Sequence, residues 1–72
     1  MNKIELTYTK DTLYVLFNDE INNDDLIKLE KKINYIMKEY KIHNLVFDVK
    51  NIKSKNYDFL TKYKKNNLEV NF

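Results

Sequence analysis

The stretch Thr12-Leu13-Tyr14-Val15-Leu16-Phe17 is apolar almost throughout, and so is Asn44-Leu45-Val46-Phe47-Asp48-Val49. Between them, from about Asn23 to Lys41, apolar residues return every three or four positions. Strand, amphipathic helix, strand is the reading, because a parallel pair needs a crossover of about a dozen residues or more and this segment supplies one. Leu26, Leu29, Ile33, Ile36, Met37 and Tyr40 form a single stripe on that helix,. Its start is marked by Asn22 as N-cap, with Asp25 three residues on as an Asp version of the capping box,. Ile21 precedes the cap and Leu26 follows it at the position of a hydrophobic staple,. Asp24 and Asp25 sit at the positive end of the helix dipole, while Lys38 and Lys41 complement the other end,.

Upstream, Ile4, Leu6 and Tyr8 alternate with Lys3, Glu5, Thr7 and Thr9, the period of a half-buried strand,. Lys10-Asp11 separates this run from the next and predicts a hairpin, though without the usual Asn-Gly or Asp-Gly pair,. The strand over residues 12–17 is apolar on both sides, which predicts a central strand covered on both faces,. Downstream, a second helix is expected from Ser54 to about Asn66, seated by Tyr57, Phe59, Leu60 and Tyr63 and stopped at Asn66 or Asn67,. Leu68-Glu69-Val70-Asn71-Phe72 alternates again as a last strand. The expected fold is an α/β two-layer sandwich, β-β-α-β-α-β. Its four-stranded mixed sheet carries both helices on one face, with right-handed crossovers. That leaves the opposite sheet face, with Val46 and alternate residues of the second strand, uncovered and open to a partner.

Seventy-two residues are expected to make a single domain, 1–72,. A chain this size buries only about 60–65% of its unfolded surface, and it has no cysteine for a covalent staple,. A folding partner or a homodimer is therefore a natural expectation. The lack of cysteine suits a reducing cytoplasm. No apolar run approaches membrane-spanning length, and the acidic, polar start argues against a signal peptide,. Gly, Ala, Arg and Pro are absent while Lys, Asn, Ile and Tyr abound, the imprint of an AT-rich genome. With no Gly, a phosphate-cradling loop or a nucleophile elbow is excluded,.

The net charge of +2 is too small to imply a polyanion partner, but it is unevenly spread. Residues 1–25 are acidic, through Glu5, Asp11, Asp19, Glu20, Asp24 and Asp25. Residues 50–72 are basic, through Lys50, Lys53, Lys55, Lys62, Lys64 and Lys65,. His43 has no Cys or acidic neighbour at ligand spacing and reads as a loop histidine,. Asp48 lies at a strand end, where α/β proteins often place catalytic groups, yet it has no partner motif,. No nucleophile, base and orienting group come together, so an enzyme is not expected, and neither metal nor cofactor is implied. The lysines of the second helix with Tyr57, Phe59 and Tyr63 interleaved could serve nucleic acid, in the manner of an antitoxin-like protein,. The same aromatics are needed to seat that helix, so a solvated face is the favoured reading.

The segment Leu13-Tyr14-Val15-Leu16-Phe17-Asn18-Asp19-Glu20-Ile21-Asn22 resembles the STAS domain, the fold of anti-sigma-factor antagonists and related bacterial regulatory subunits. That family has an apolar strand, a Gly-Glu-Ile/Leu-Asp-like turn and then a helix. Glu20-Ile21 matches, Asn22 stands for the capping Asp, and the Gly is replaced. Asn44-Leu45-Val46-Phe47-Asp48-Val49-Lys50-Asn51-Ile52 is similar to the family's next strand. The resemblance spans about residues 3–65. It implies a non-catalytic module that binds a protein partner, an anti-sigma-factor-like protein or a transporter component. The implied contact surface is Asp19, Glu20 and Asn22 with Ser54, Lys55, Tyr57 and Asp58. The family's Asp-Ser-Ser-Gly segment, which carries a phosphorylated Ser, is replaced by Ile52-Lys53-Ser54-Lys55-Asn56, and the family's last helix has no counterpart. Ser54 is the single serine and falls near the implied phosphoacceptor position. An ordinary N-cap is the favoured reading of this serine, with a phosphorylation switch as the lesser one. A structural subunit or a homodimer pairing exposed sheet is a further alternative.

Overall fold

The computed structural model describes residues 3–53, 58–63 and 67–72. The elements run β1 (Ile4–Thr9), β2 (Thr12–Phe17), α1 (Asn23–Glu39), β3 (Asn44–Asp48), a 3-10 helix (Asp58–Tyr63) and β4 (Asn67–Asn71). Strand order in the sheet is β1-β2-β3-β4. The hairpin β1-β2 is antiparallel, while β2-β3 and β3-β4 are parallel. This is the mixed four-stranded α/β sheet expected from the strand and helix periods.

The registers align side chains in rows across the sheet. Leu6, Val15, Phe47 and Val70 make one row, and Leu13, Leu45 and Leu68 fall in another. Their side of the sheet is the core. Leu13, Val15, Phe17, Leu45, Phe47 and Val49 are buried there with Leu29 and Ile33 of α1 and with Phe59, Leu60 and Tyr63. Both helical elements therefore cover one face. Four rings meet beneath the 3-10 helix: Phe47 lies 6.2 Å from Phe17, 6.0 Å from Phe59 and 5.4 Å from Tyr63 between centroids. Aromatic contacts at these distances add to the stabilisation from area burial alone.

Among the described residues no helix covers the opposite face, as the element count predicts, and this overrides the two-sided apolar pattern of β2. Apolar residues on both sides of β2 predict cover on both faces, but Tyr14 is 43% exposed and Leu16 only partly buried. Tyr14 holds such a place because its hydroxyl can stay in water while its ring packs on Val46, its register partner,. The central position of β2 is as expected.

Helix α1 starts as the sequence indicates. The Asn22 side chain accepts from the Asp25 N–H at 2.8 Å, and the Asp25 carboxylate accepts from the Asn22 N–H at 3.4 Å. Replacing Asn22 by Ala removes the acceptor and should cost about 1 kcal/mol, read as a lower urea midpoint with unchanged slope. The helix ends at Glu39, two residues earlier than the lysine spacing suggests. Lys41 takes a positive φ of 52°, and the Ile42 N–H donates to the Met37 carbonyl at 3.1 Å. This bond from C″ back to C3 is the Schellman pattern, with lysine where glycine usually sits. Lys10 has a φ of 54° in the β1-β2 turn for the same reason: a chain without glycine must strain other residues there,. The Asp11 carbonyl accepts from the N–H groups of both His43 and Asn44 at 3.0 Å, tying the hairpin to the helix exit.

The second helix is shorter and tighter than expected. Its described part is a six-residue 3-10 helix, and Ser54 to Tyr57 and Lys64 to Asn66 lie outside the described residues. Three residues per turn stack Leu60 and Tyr63 on one side, with Phe59 alongside, so a compact turn seats all three in the core,. The Thr61 hydroxyl donates to the Asp58 carbonyl at 2.8 Å, bracing that turn.

Burial first, and the Glu30 charge second, push the Tyr63 hydroxyl up to about 12. Below its ordinary value, about 10, folded and unfolded chains both keep the proton, so it adds no pH dependence. Above that, the unfolded chain ionises first, and stability falls as pH rises through the window up to about 12,. Tyr63→Phe should flatten that fall in urea titrations taken across the window, relative to wild type.

Candidate functional site

At the carboxyl ends of β2 and β3 the chain leaves the sheet twice. The first exit, Asn18 to Asn22, leads into α1, and the second, Val49 to Lys53, leads toward the 3-10 helix. Such ends of parallel strands are where α/β folds open crevices. Here the crevice is a cleft of about 340 Å³. Ile21, Leu26, Ile52 and Phe59 form its apolar surface, and Glu20, Asn22, Glu30, Asp58 and Lys62 supply its polar groups.

The polar groups are held by identifiable bonds. Glu20 accepts through Oε1 from the Lys53 N–H, linking the two loops across 33 residues of sequence. The Asp19 carboxylate turns back to accept from the Glu20 N–H at 2.7 Å. Asn22 is committed to the cap of α1. Lys62 Nζ contacts Glu30 Oε1 at 2.9 Å and donates to Oε2 at 3.1 Å, joining the 3-10 helix to α1. The cleft thus has three carboxylates against one ammonium, itself paired. Such a field repels phosphate and attracts a cationic side chain.

Of the expected contact residues, the structure brings Glu20, Asn22 and Asp58 to this one cleft. Asp19 is exposed beside it but does not line it. Ser54, Lys55 and Tyr57 lie outside the described residues. The Glu30–Lys62 pair and the apolar contributions of Ile21 and Ile52 were not singled out from sequence. Glu30 and Lys62 are charged residues on separate elements, and nothing in the spacing of either forecasts their meeting.

Asp48 has a local structural partner. Its Oδ1 accepts from the Lys50 N–H at 3.2 Å, with Lys50 Nζ 4.0 Å from Oδ2, so it shapes the turn after β3. His43 is exposed. Among the described residues no group of three or more His, Cys, Asp or Glu could hold a metal ion, and no helix is long and apolar enough to cross a membrane. The described lining of the cleft contains no hydroxyl, thiol or imidazole. Its described groups are carboxylates, amides, one ammonium and apolar side chains. Compared with protein-family models, curated proteins and solved structures, the chain matches none.

Proposed function

We propose that this chain is a small, non-catalytic, STAS-like interaction module of the cytoplasm that binds a regulatory protein. An anti-sigma-factor-like protein or a transporter component is the partner type. The observation that carries the reading is the convergence of Glu20 and Asn22, from the loop that enters α1, with Asp58, from the start of the 3-10 helix, on one cleft at the carboxyl ends of parallel strands. The strand order, with an N-terminal hairpin followed by two parallel connections, supports the STAS-like part. The cleft's charge specifies the contact: a Lys or Arg of the partner, flanked by apolar side chains that rest on Ile21, Ile52 and Phe59. Nucleic acid is disfavoured here, because Lys62 is paired with Glu30 and the open sheet face carries Glu5, Asp48 and Glu69.

The test is affinity capture from native extract, with and without nuclease, using wild type and a Glu20→Gln/Asp58→Asn double variant. The amide oxygen introduced at position 20 can still accept from the Lys53 N–H, so the variant removes charge and keeps the loop tie. A nuclease-resistant protein that binds the variant roughly tenfold more weakly is the expected outcome. Equal capture by both proteins, or recovery only of nuclease-sensitive material, overturns the reading.

A further inference from the structure

A second surface, away from the cleft, lies along the outer edge of β1. The Asn18 N–H donates to the Lys3 carbonyl at 2.7 Å, which makes Lys3 and Asn18 a hydrogen-bonded pair. In antiparallel pairing such pairs recur at every second residue, so Glu5, Thr7 and Thr9 turn their backbone groups toward β2,. Ile4, Leu6 and Tyr8 then turn theirs outward, and β1 is an edge strand with nothing beyond it among the described residues. Three consecutive donor–acceptor sets are presented to solvent.

The side-chain setting of this edge is unusual. On the helix side, a groove of about 410 Å³ has Ile4, Leu6 and Leu29 as its floor. Lys3, Lys28 and Lys32 line its walls, with Asp25 as the one carboxylate, and Asp25 lies 3.7 Å from the Lys3 ammonium. Lys28 and Lys32 make no ion pair among the described residues. Beyond Leu6 on the same face of β1, the ring of Tyr8 stacks on Tyr40 at 4.7 Å and 29°. The groove is apolar below, cationic at its rim, and bordered by outward-facing strand backbone.

We infer that the β1 edge is a docking site for an extended acidic peptide segment of a partner protein. The segment adds as a fifth strand, its backbone bonding to Ile4, Leu6 and Tyr8. Its alternate side chains enter the groove, where carboxylates meet Lys28 and Lys32 and apolar groups rest on Ile4, Leu6 and Leu29. Charge selects this occupant over a second copy. Two β1 edges paired about a two-fold axis would bring Lys3, Lys28 and Lys32 of both copies onto one side of a continuous sheet. Charge also selects against nucleic acid: Glu5 stands exposed on the other face of the same edge and repels a phosphate backbone, while a peptide can present a neutral side there. The inference stands independently of the cleft and of the STAS-like reading.

The probe is a short capped peptide with Thr at every second position and Glu, Val and Glu at the positions between, so that one face carries carboxylates and an apolar group. It is titrated into the full chain and followed by amide exchange and chemical shifts. Exchange at the Ile4, Leu6 and Tyr8 amides should slow on binding. The exposed pair Lys28→Glu/Lys32→Glu, with its fold checked by circular dichroism, should weaken binding roughly tenfold or more. Methylating alternate peptide nitrogens on the probe should abolish binding, because those nitrogens donate to the edge. Four results overturn the proposal: no binding, shifts centred elsewhere, equal affinity for the double variant, or a DNA oligonucleotide that occupies the edge more tightly than the peptide.

Discussion

Phe47→Ala is expected to leave the chain largely unfolded near body temperature. Phe47 is fully buried, and its ring stands against Phe17, Phe59 and Tyr63, so it joins sheet to 3-10 helix. Truncating a buried Phe to Ala costs about 3–5 kcal/mol, the sum of lost transfer energy and the cavity left behind. A chain of this length has roughly 4–10 kcal/mol of total stability, so most of the margin disappears. Each kcal/mol moves the melting midpoint of a small domain by about 4–8 °C, which makes the expected drop tens of degrees. Thermal melts followed by circular dichroism measure it. A midpoint within a few degrees of wild type would mean that the aromatic cluster is not the centre of the fold.

The second large effect is a contrast between neighbours. Val15→Lys should abolish folding, whereas Tyr14→Lys should change stability by no more than about 1 kcal/mol. Val15 is 1% exposed, between Leu6 and Phe47 in its row, and an ammonium there has no partner and no water,. Tyr14 faces the other way and is 43% exposed, so a lysine there keeps its hydration,. The pair of variants tests the one-sided sheet directly. If both substitutions unfold the chain, the face bearing Tyr14 is covered and the two-layer architecture fails. Urea titration of each variant is sufficient.

Much of this architecture is legible in the sequence because its signals are local. The alternation of Ile4, Leu6 and Tyr8 and the cap pair Asn22 and Asp25 each report a geometry set within a few residues,. The stripe from Leu26 to Met37 likewise places Leu29 and Ile33 in the core. Where reading fell short, the missing information was long-range or ambiguous. Phe59, Leu60 and Tyr63 fit the period of an α-helix and of a 3-10 helix equally well, and their fit to the core selects the tighter form,. The early end of α1 depends on Lys41 accepting a positive φ, a task with no residue signature in a glycine-free chain.

The candidate site divides in the same way. Glu20, Asn22 and Asp58 are reached from sequence through the STAS-like resemblance, with Asn22 also marked locally as the cap of α1. That these three share a cleft depends on packing between elements. So does the tie from Glu20 to the Lys53 backbone and that from Lys62 to Glu30. Ser54, Lys55 and Tyr57 fall outside the described residues. The lysine-rimmed groove at β1 has no signal of its own, since Lys3 and Lys28 come together only when the sheet edge meets α1.

A protein partner that engages the chain at the carboxyl ends of its parallel strands must shield the loop that enters α1 and the 3-10 helix beside it. Hydrogen exchange of the chain alone and in complex with the partner captured by wild type tests this most directly. Exchange should slow from Asp19 to Asn23 and from Asp58 to Lys62, with the amides of the β1-β2 turn at Lys10 and Asp11 unchanged. Slowed exchange confined to the open sheet face or to β4, with the cleft segments as in the free chain, would contradict it.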